Sequence, residues 1–254
     1  MSNLSAILDF IFTRHLKSIT LVIIIIEFII GYVAIQEIGS KGISFGYSHG
    51  GYFSFVSFLG GLIVAFLSVY LMTSMTREIS NGVVTLYLSQ PIRRVEYIFG
   101  WLLASIITPL LLLWFGIAVL GLIVSPDIIY TVEFYEFILL MLELYFNLLI
   151  CFSVSILFKS AQVPALAGLG VFIILPFVFI ILIALSSISP FQITIIEYIL
   201  AYIFGIFYPQ KYYSMIVSSY NLSYIVEPWI ITTMAVVIMH LLIFYYSKKY
   251  FEVS

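Results

Sequence analysis

Six apolar runs, 19–36, 52–75, 98–124, 134–158, 163–185 and 228–247, dominate this chain. Each run approaches or exceeds the ~20 residues an α-helix needs to cross ~30 Å of hydrocarbon. Few folds are open to such a pattern. In hydrocarbon every backbone N–H and C=O must find an internal partner, and a helix supplies these partners within one segment. Composition agrees: 63% of the 254 residues are hydrophobic and 9% are charged. A soluble domain carries about 25% charged residues because it must keep a polar shell. The expected fold is all-α: one polytopic membrane domain over 1–254 with six transmembrane helices.

The ends and connections refine this layout. Residues 1–17 place Leu4, Ile7, Leu8, Ile11 and Phe12 on one helical face, with Asp9, Thr13, Arg14 and Lys17 opposite. That periodicity predicts an N-terminal helix lying in the membrane interface. A cleaved signal peptide fits less well, since the apolar run that follows is longer than a signal core of about 7–15 residues. Pro109 should kink the third span and Pro176 lies near the middle of the fifth. The segment 186–227 contains an apolar portion, Ile193 to Tyr208, interrupted by Glu197 and bounded by Pro190 and Pro209. It reads as short re-entrant helices on the outer side, packed on protein.

Charge sets the orientation. Six spans with both termini cytoplasmic put Arg14, Lys17, Arg77, Arg93, Arg94, Lys159, Lys248 and Lys249 inside, leaving Lys41 and Lys211 outside. A seventh span would move Lys248 and Lys249 outside, against the positive-inside bias. The location this implies is a cell membrane, crossed many times. The sequon Asn221-Leu222-Ser223 falls on the outer side, compatible with that topology.

Three polar residues inside the runs stand out. Glu27 lies midway along the first, on a face with Thr20, Gly31 and Ala34; Glu143 and Asn147 stand four apart on the fourth. A central carboxylate costs about 2.5–3.5 kcal/mol on insertion scales, which the surrounding Ile and Leu residues offset. Such residues either line a polar path for a proton or substrate, or make interhelical hydrogen bonds. Ser57, Gly61 and Ala65 form a row of small residues that permits close helix approach, within the chain or across a dimer.

Several functions are excluded. A net charge of −2 with no basic stripe argues against nucleic acid. Gly42-Ile43-Ser44-Phe45-Gly46 matches a nucleophile elbow, yet it sits in a glycine-rich loop without the strand and helix that motif needs. No phosphate-cradling loop, zinc-protease motif or metal-ligand spacing occurs, so no cofactor is expected and no enzyme activity is read. The single cysteine, Cys151, lies in an apolar run, and His15 and His240 are expected in ordinary packing at span ends.

The exception to the apolar pattern is 76–97. Arg77, Glu78, Arg93, Arg94 and Glu96 surround a short apolar middle, Val83 to Leu88, with Gly82 able to turn sharply and Pro91 closing it. Too apolar for a solvated loop and too short to cross, this segment calls for a docked protein partner. At Glu78, Gly82, Thr85, Leu86, Leu88, Ser89, Pro91, Ile92, Arg94, Tyr97 and Gly100 the chain resembles the membrane subunit of type-2 ABC transporters, the export class of permeases. It departs in the spacing of Thr85 from Gly82 and in Trp101, where the family often has lysine. The resemblance implies a half-transporter that pairs with a second permease copy or a paralogue. The loop 76–97 would be its coupling helix, with Glu78, Gly82, Val83, Leu86, Leu88, Pro91, Arg93 and Arg94 contacting a cytoplasmic ABC ATPase subunit. Few charges in the bundle suggest an amphipathic, peptide or drug-like cargo. The alternative is an ATP-independent secondary transporter or channel that uses Glu27 and Glu143.

Overall fold

The structure is a computed structural model, and it describes residues 3–16, 29, 50–82, 93–124, 134–158, 160–179, 181, 195–212 and 228–249. Among these residues there are helices, turns and no strand. The described helices are α1 (Asn3–Ile11), α2 (Gly50–Ser80), α3 (94–124), α4 (Phe134–Phe158), α5 (Val163–Phe179), α6 (Ile195–Phe207), α7 (Pro209–Tyr212) and α8 (Pro228–Lys249). Four stretches, Gly60–Ser80, Arg94–Gly116, Tyr135–Phe158 and Trp229–Lys248, are long and apolar enough to cross a membrane. The expected first span, 19–36, and with it Glu27, lies outside the described residues apart from the helical Ile29.

Helix α1 continues into a wider π turn over Phe12–Leu16. Its buried stripe is Ile7 and Ile11, with His15 four residues on; Asp9, Thr13 and Arg14 are exposed. Phe12 departs from the sequence expectation: it lies off that stripe and is 50% exposed. The stripe instead ends on a polar ring that finds a partner on α2, described below.

Helix α2 runs past the apolar run that suggested it. Hydrophobicity drops at Thr76, but the hydroxyls of Thr73, Thr76 and Ser80 return to carbonyls three or four residues back, so these residues sit within the helix. The helix stops at Asn81–Gly82, where Gly82 takes φ +69°, the left-handed conformation that glycine adopts without a steric penalty. On the far side α3 begins at Arg94, with the Arg93 N–H donating to Glu96 Oε2 at 3.1 Å. The loop expected over 76–97 is therefore narrower, since 76–80 and 94–97 are helical.

Two helices carry a proline in their interior, and each meets it in the same way. In α3 a π turn spans Leu103–Ile107 and Pro109 follows; in α5 a π turn spans Gly170–Ile174 and Pro176 follows. Thr108 N–H reaches Leu103 O and Leu175 N–H reaches Gly170 O, each five residues back. The next residue in each register is the proline, which has no N–H to give. The wider turn absorbs the mismatch, and this is the form that the distortion expected at Pro109 takes.

Packing shows how the helices run. His15 of α1 touches Glu78 near the end of α2 and lies against Trp101 near the start of α3. At the other end Gly60 of α2 approaches Leu113 of α3, so the two helices are antiparallel. Tyr135 meets Trp229, and ten residues on Tyr145 meets His240, so α4 and α8 run parallel. The core gathers Leu71, Met72 and Met75 of α2, Trp101 of α3 and Phe152 of α4. Gly61 and Ala65 are buried inside the chain, with Gly61 facing Leu144 of α4, so this part of the small-residue row serves packing within one subunit. Large apolar side chains point outward: Phe66, Leu111, Trp114, Leu166, Phe177 and Leu241 are exposed. Such an apolar exterior fits a lipid environment, since a soluble monomer rarely exposes patches of that extent.

Candidate functional site

The densest polar arrangement forms where α6 gives way to α7. Helix α6 ends at Phe207, Tyr208 is not helical, and Pro209 opens the four-residue α7. Pro209 has no N–H, so the helical ladder loses a bond there, and the helix breaks at Tyr208. A break in a buried stretch leaves backbone groups that cost about 1–3 kcal/mol each if nothing meets them. Side chains from neighbouring helices do so. Asn147 Nδ2 donates to Phe207 O at 3.0 Å, and Thr232 Oγ1 of α8 donates to Ile206 O at 2.7 Å. On the α7 side Gln210 N–H donates to Glu143 Oε2 at 3.2 Å. Glu143 and Asn147 are 3% and 1% exposed, so both are fully committed to the interior.

The fourth link comes from Tyr208 itself. Its hydroxyl donates to Val171 O of α5. Val171 lies in the π turn just before Pro176, and in that register its carbonyl would have been met by residue 176. Pro176 thus frees the acceptor that Tyr208 uses. The Tyr208 ring packs among Phe179, Phe204 and Phe207. Each of these hydrogen bonds contributes about 0.5–1.5 kcal/mol net, and more where a charged partner is involved. Together they hold the break by a few kcal/mol, and they hold it from three separate helices.

A second polar contact lies on another face of α4, at a residue between Glu143 and Asn147 in sequence. Tyr145 Oη is 2.6 Å from His240 Nε2, with the rings stacked at 5.6 Å, while His240 Nδ1 is 2.8 Å from Val236 O. A carbonyl only accepts, so Nδ1 carries the proton, and in the neutral ring Nε2 accepts from the tyrosine. His240 is therefore in the middle of α8 with a defined tautomer, and not at a span end as the sequence reading had it.

The other candidate region surrounds Glu78. This side chain is 8% exposed; its Oε1 lies 3.2 Å from His15 Nε2 and 3.7 Å from Arg14 Nη1. Arg14 sits over Phe10 at 5.4 Å, and the His15 ring is 5.7 Å from Trp101. Among the described residues Glu78 Oε2 is buried without a hydrogen bond. Of the residues expected to contact a partner, Glu78 is thus buried, Gly82 forms the turn, and Arg93 and Arg94 are exposed at the start of α3. Val83, Leu86, Leu88 and Pro91 lie outside the described residues.

The structure brings Glu143 and Asn147 together, as their spacing anticipated, and supplies what they face. It adds Tyr208, Thr232, Tyr145 and His15, none of which sequence reasoning had singled out as a site residue. Pro209 was the available signal for the break, since it bounds the apolar stretch. No protein-family model, curated protein or solved structure matches the chain.

Proposed function

We propose that the chain is the membrane-spanning subunit of an ATP-driven export system of the type-2 ABC kind, with residues 83–92 docking a separate ATPase subunit. The observation that carries this reading is the way both roots of that segment rest on one support. His15 of α1 bonds to Glu78 at the first root and packs on Trp101 at the second. Gly82 turns the chain out of α2, and Glu96 caps the start of α3. A short apolar segment on fixed roots can pass a displacement to two long helices without dissipating it in a slack loop.

The finer layout belongs to this proposal. Six spans place both termini in the cytoplasm of a cell, with α1 in the interface and α6–α7 as re-entrant helices of the outer leaflet. The satisfied backbone at Tyr208–Pro209 supports the last point, because irregular backbone at membrane depth must be packed on protein. A second copy or a paralogue completes the transport path, and the cargo is amphipathic, peptide or drug-like. The bonding of Glu143 to Gln210 N–H favours a structural role for this carboxylate over the ATP-independent alternative.

The test is Leu86→Glu in the full chain, with Thr233→Ala as a control. The charged variant should insert normally, lose co-purification with a chain bearing a phosphate-cradling loop, and reduce ATP-dependent export at least about tenfold. Full assembly and export by Leu86→Glu would sink the proposal.

A further inference from the structure

We propose that the seam at Tyr208–Pro209 is a latch that opens as a unit, releasing α6–α7 from α4, α5 and α8 while each helix stays folded. The inference is independent of any ATPase partner. Three observations carry it.

The bonds across the seam belong to no helical ladder. Asn147 and Thr232 meet carbonyls at the end of α6, Glu143 meets an N–H of α7, and Tyr208 reaches a carbonyl of α5. All four are side chain to backbone, so breaking them unwinds nothing. Next, they are concentrated on residues 206–210, which makes release cooperative: removing one bond weakens the restraint on the rest. Last, the Tyr208 link depends on a second proline. Val171 O is open to Tyr208 because Pro176 brings no N–H to the π turn. The latch therefore joins the broken end of one helix to the proline-distorted turn of another, two places where the backbone has given up its own bonds.

The chain carries its own reporter. Cys151 is its single thiol, is fully buried, and lies on the face of α4 that holds Glu143 and Asn147, at four-residue intervals. A thiol reagent reaches it when the seam opens.

The experiment measures the rate at which N-ethylmaleimide labels Cys151 in the purified full-length chain in proteoliposomes, with no nucleotide or partner present. Tyr208→Phe keeps the ring and removes the hydroxyl. Pro176→Ala removes no seam side chain; it gives the π turn a donor that competes for Val171 O, and it favours the helical fold. Both should label about tenfold faster than the parent, with unchanged helix content by circular dichroism. Thr233→Ala, whose hydroxyl bonds Trp229 O within α8, should label at the parent rate. If Tyr208→Phe cannot be purified, Pro176→Ala decides alone. Labelling of either folded variant at the parent rate would overturn the latch, and so would equal acceleration by Thr233→Ala. Because no ATPase enters the assay, loss of the export reading would leave this result standing, and the reverse also holds.

Discussion

Glu78 and Glu143 are both buried carboxylates at the edge of a helix break, and they are satisfied in opposite ways. Glu78 faces ionisable side chains of another segment, His15 and Arg14. Glu143 faces a backbone N–H, that of Gln210. The first arrangement ties two pieces of chain by charge, at a site where Arg14 is 54% exposed and water competes. The second gives an acceptor to a backbone N–H at the start of a new helix, in the buried interior. Salt should therefore act on the first site, where one partner is exposed, more than on the second, where a buried carboxylate meets a backbone N–H.

The sharpest break of that contrast is at Glu143. Glu143→Leu leaves Gln210 N–H buried without its acceptor and should destabilise the chain by about 3 kcal/mol. Glu143→Gln keeps a carbonyl in place and should change stability by less than about 1 kcal/mol. Thermal unfolding in detergent compares the two. Equal losses would mean that the negative charge, and not the acceptor, holds the break.

Packing gives a second test, aimed at the break and away from Glu78. A Cβ on Gly168 would stand 2.5 Å from Val69 Cγ2, and one on Gly60 would stand 2.3 Å from Leu113 Cδ1. The shorter distance is the milder clash. Leu113 can swing its terminal methyl to another rotamer, whereas valine is stiff at χ1. Gly168→Ala should cost about 2 kcal/mol and Gly60→Ala less than about 1 kcal/mol, by the usual scale of overpacking. Gly168 precedes the π turn that presents Val171, so its alanine variant should also speed labelling of Cys151, while Gly60→Ala should not.

Much of the helical framework was legible because length and hydrophobicity are local properties. The apolar run at 134–158 coincides with α4, and the four-residue spacing of Glu143 and Asn147 put them on one face. What that face meets was not legible: Phe207 and Gln210 lie sixty and sixty-seven residues from the side chains that meet them, and no periodicity encodes a tertiary partner. The same holds for His15, sixty-three residues from Glu78. The end of α2 was misplaced for a different reason. Hydropathy marks where a segment leaves an apolar environment, whereas helices end where backbone bonds end, here at Gly82. Prolines were visible, but the π turns ahead of Pro109 and Pro176 depend on how the whole helix packs, and only their general distortion could be anticipated.

The smallest expected effect concerns Glu78, and salt is its signature. Replacement by glutamine removes the attraction to Arg14 while leaving an acceptor for the His15 imidazole. With one partner largely in water, the loss should be about 0.5 kcal/mol at low ionic strength. Raising salt shortens the screening length from ~10 Å at 0.1 M to ~3 Å at 1 M, which weakens an exposed pair and leaves a buried hydrogen bond almost untouched. The stability gap between the parent and Glu78→Gln should therefore shrink by half or more in 1 M salt. The gap for Glu143→Leu should stay the same. A Glu78 gap that ignores salt would place its stabilisation in the buried contact with His15 alone, and the two carboxylates would then hold their breaks by the same means.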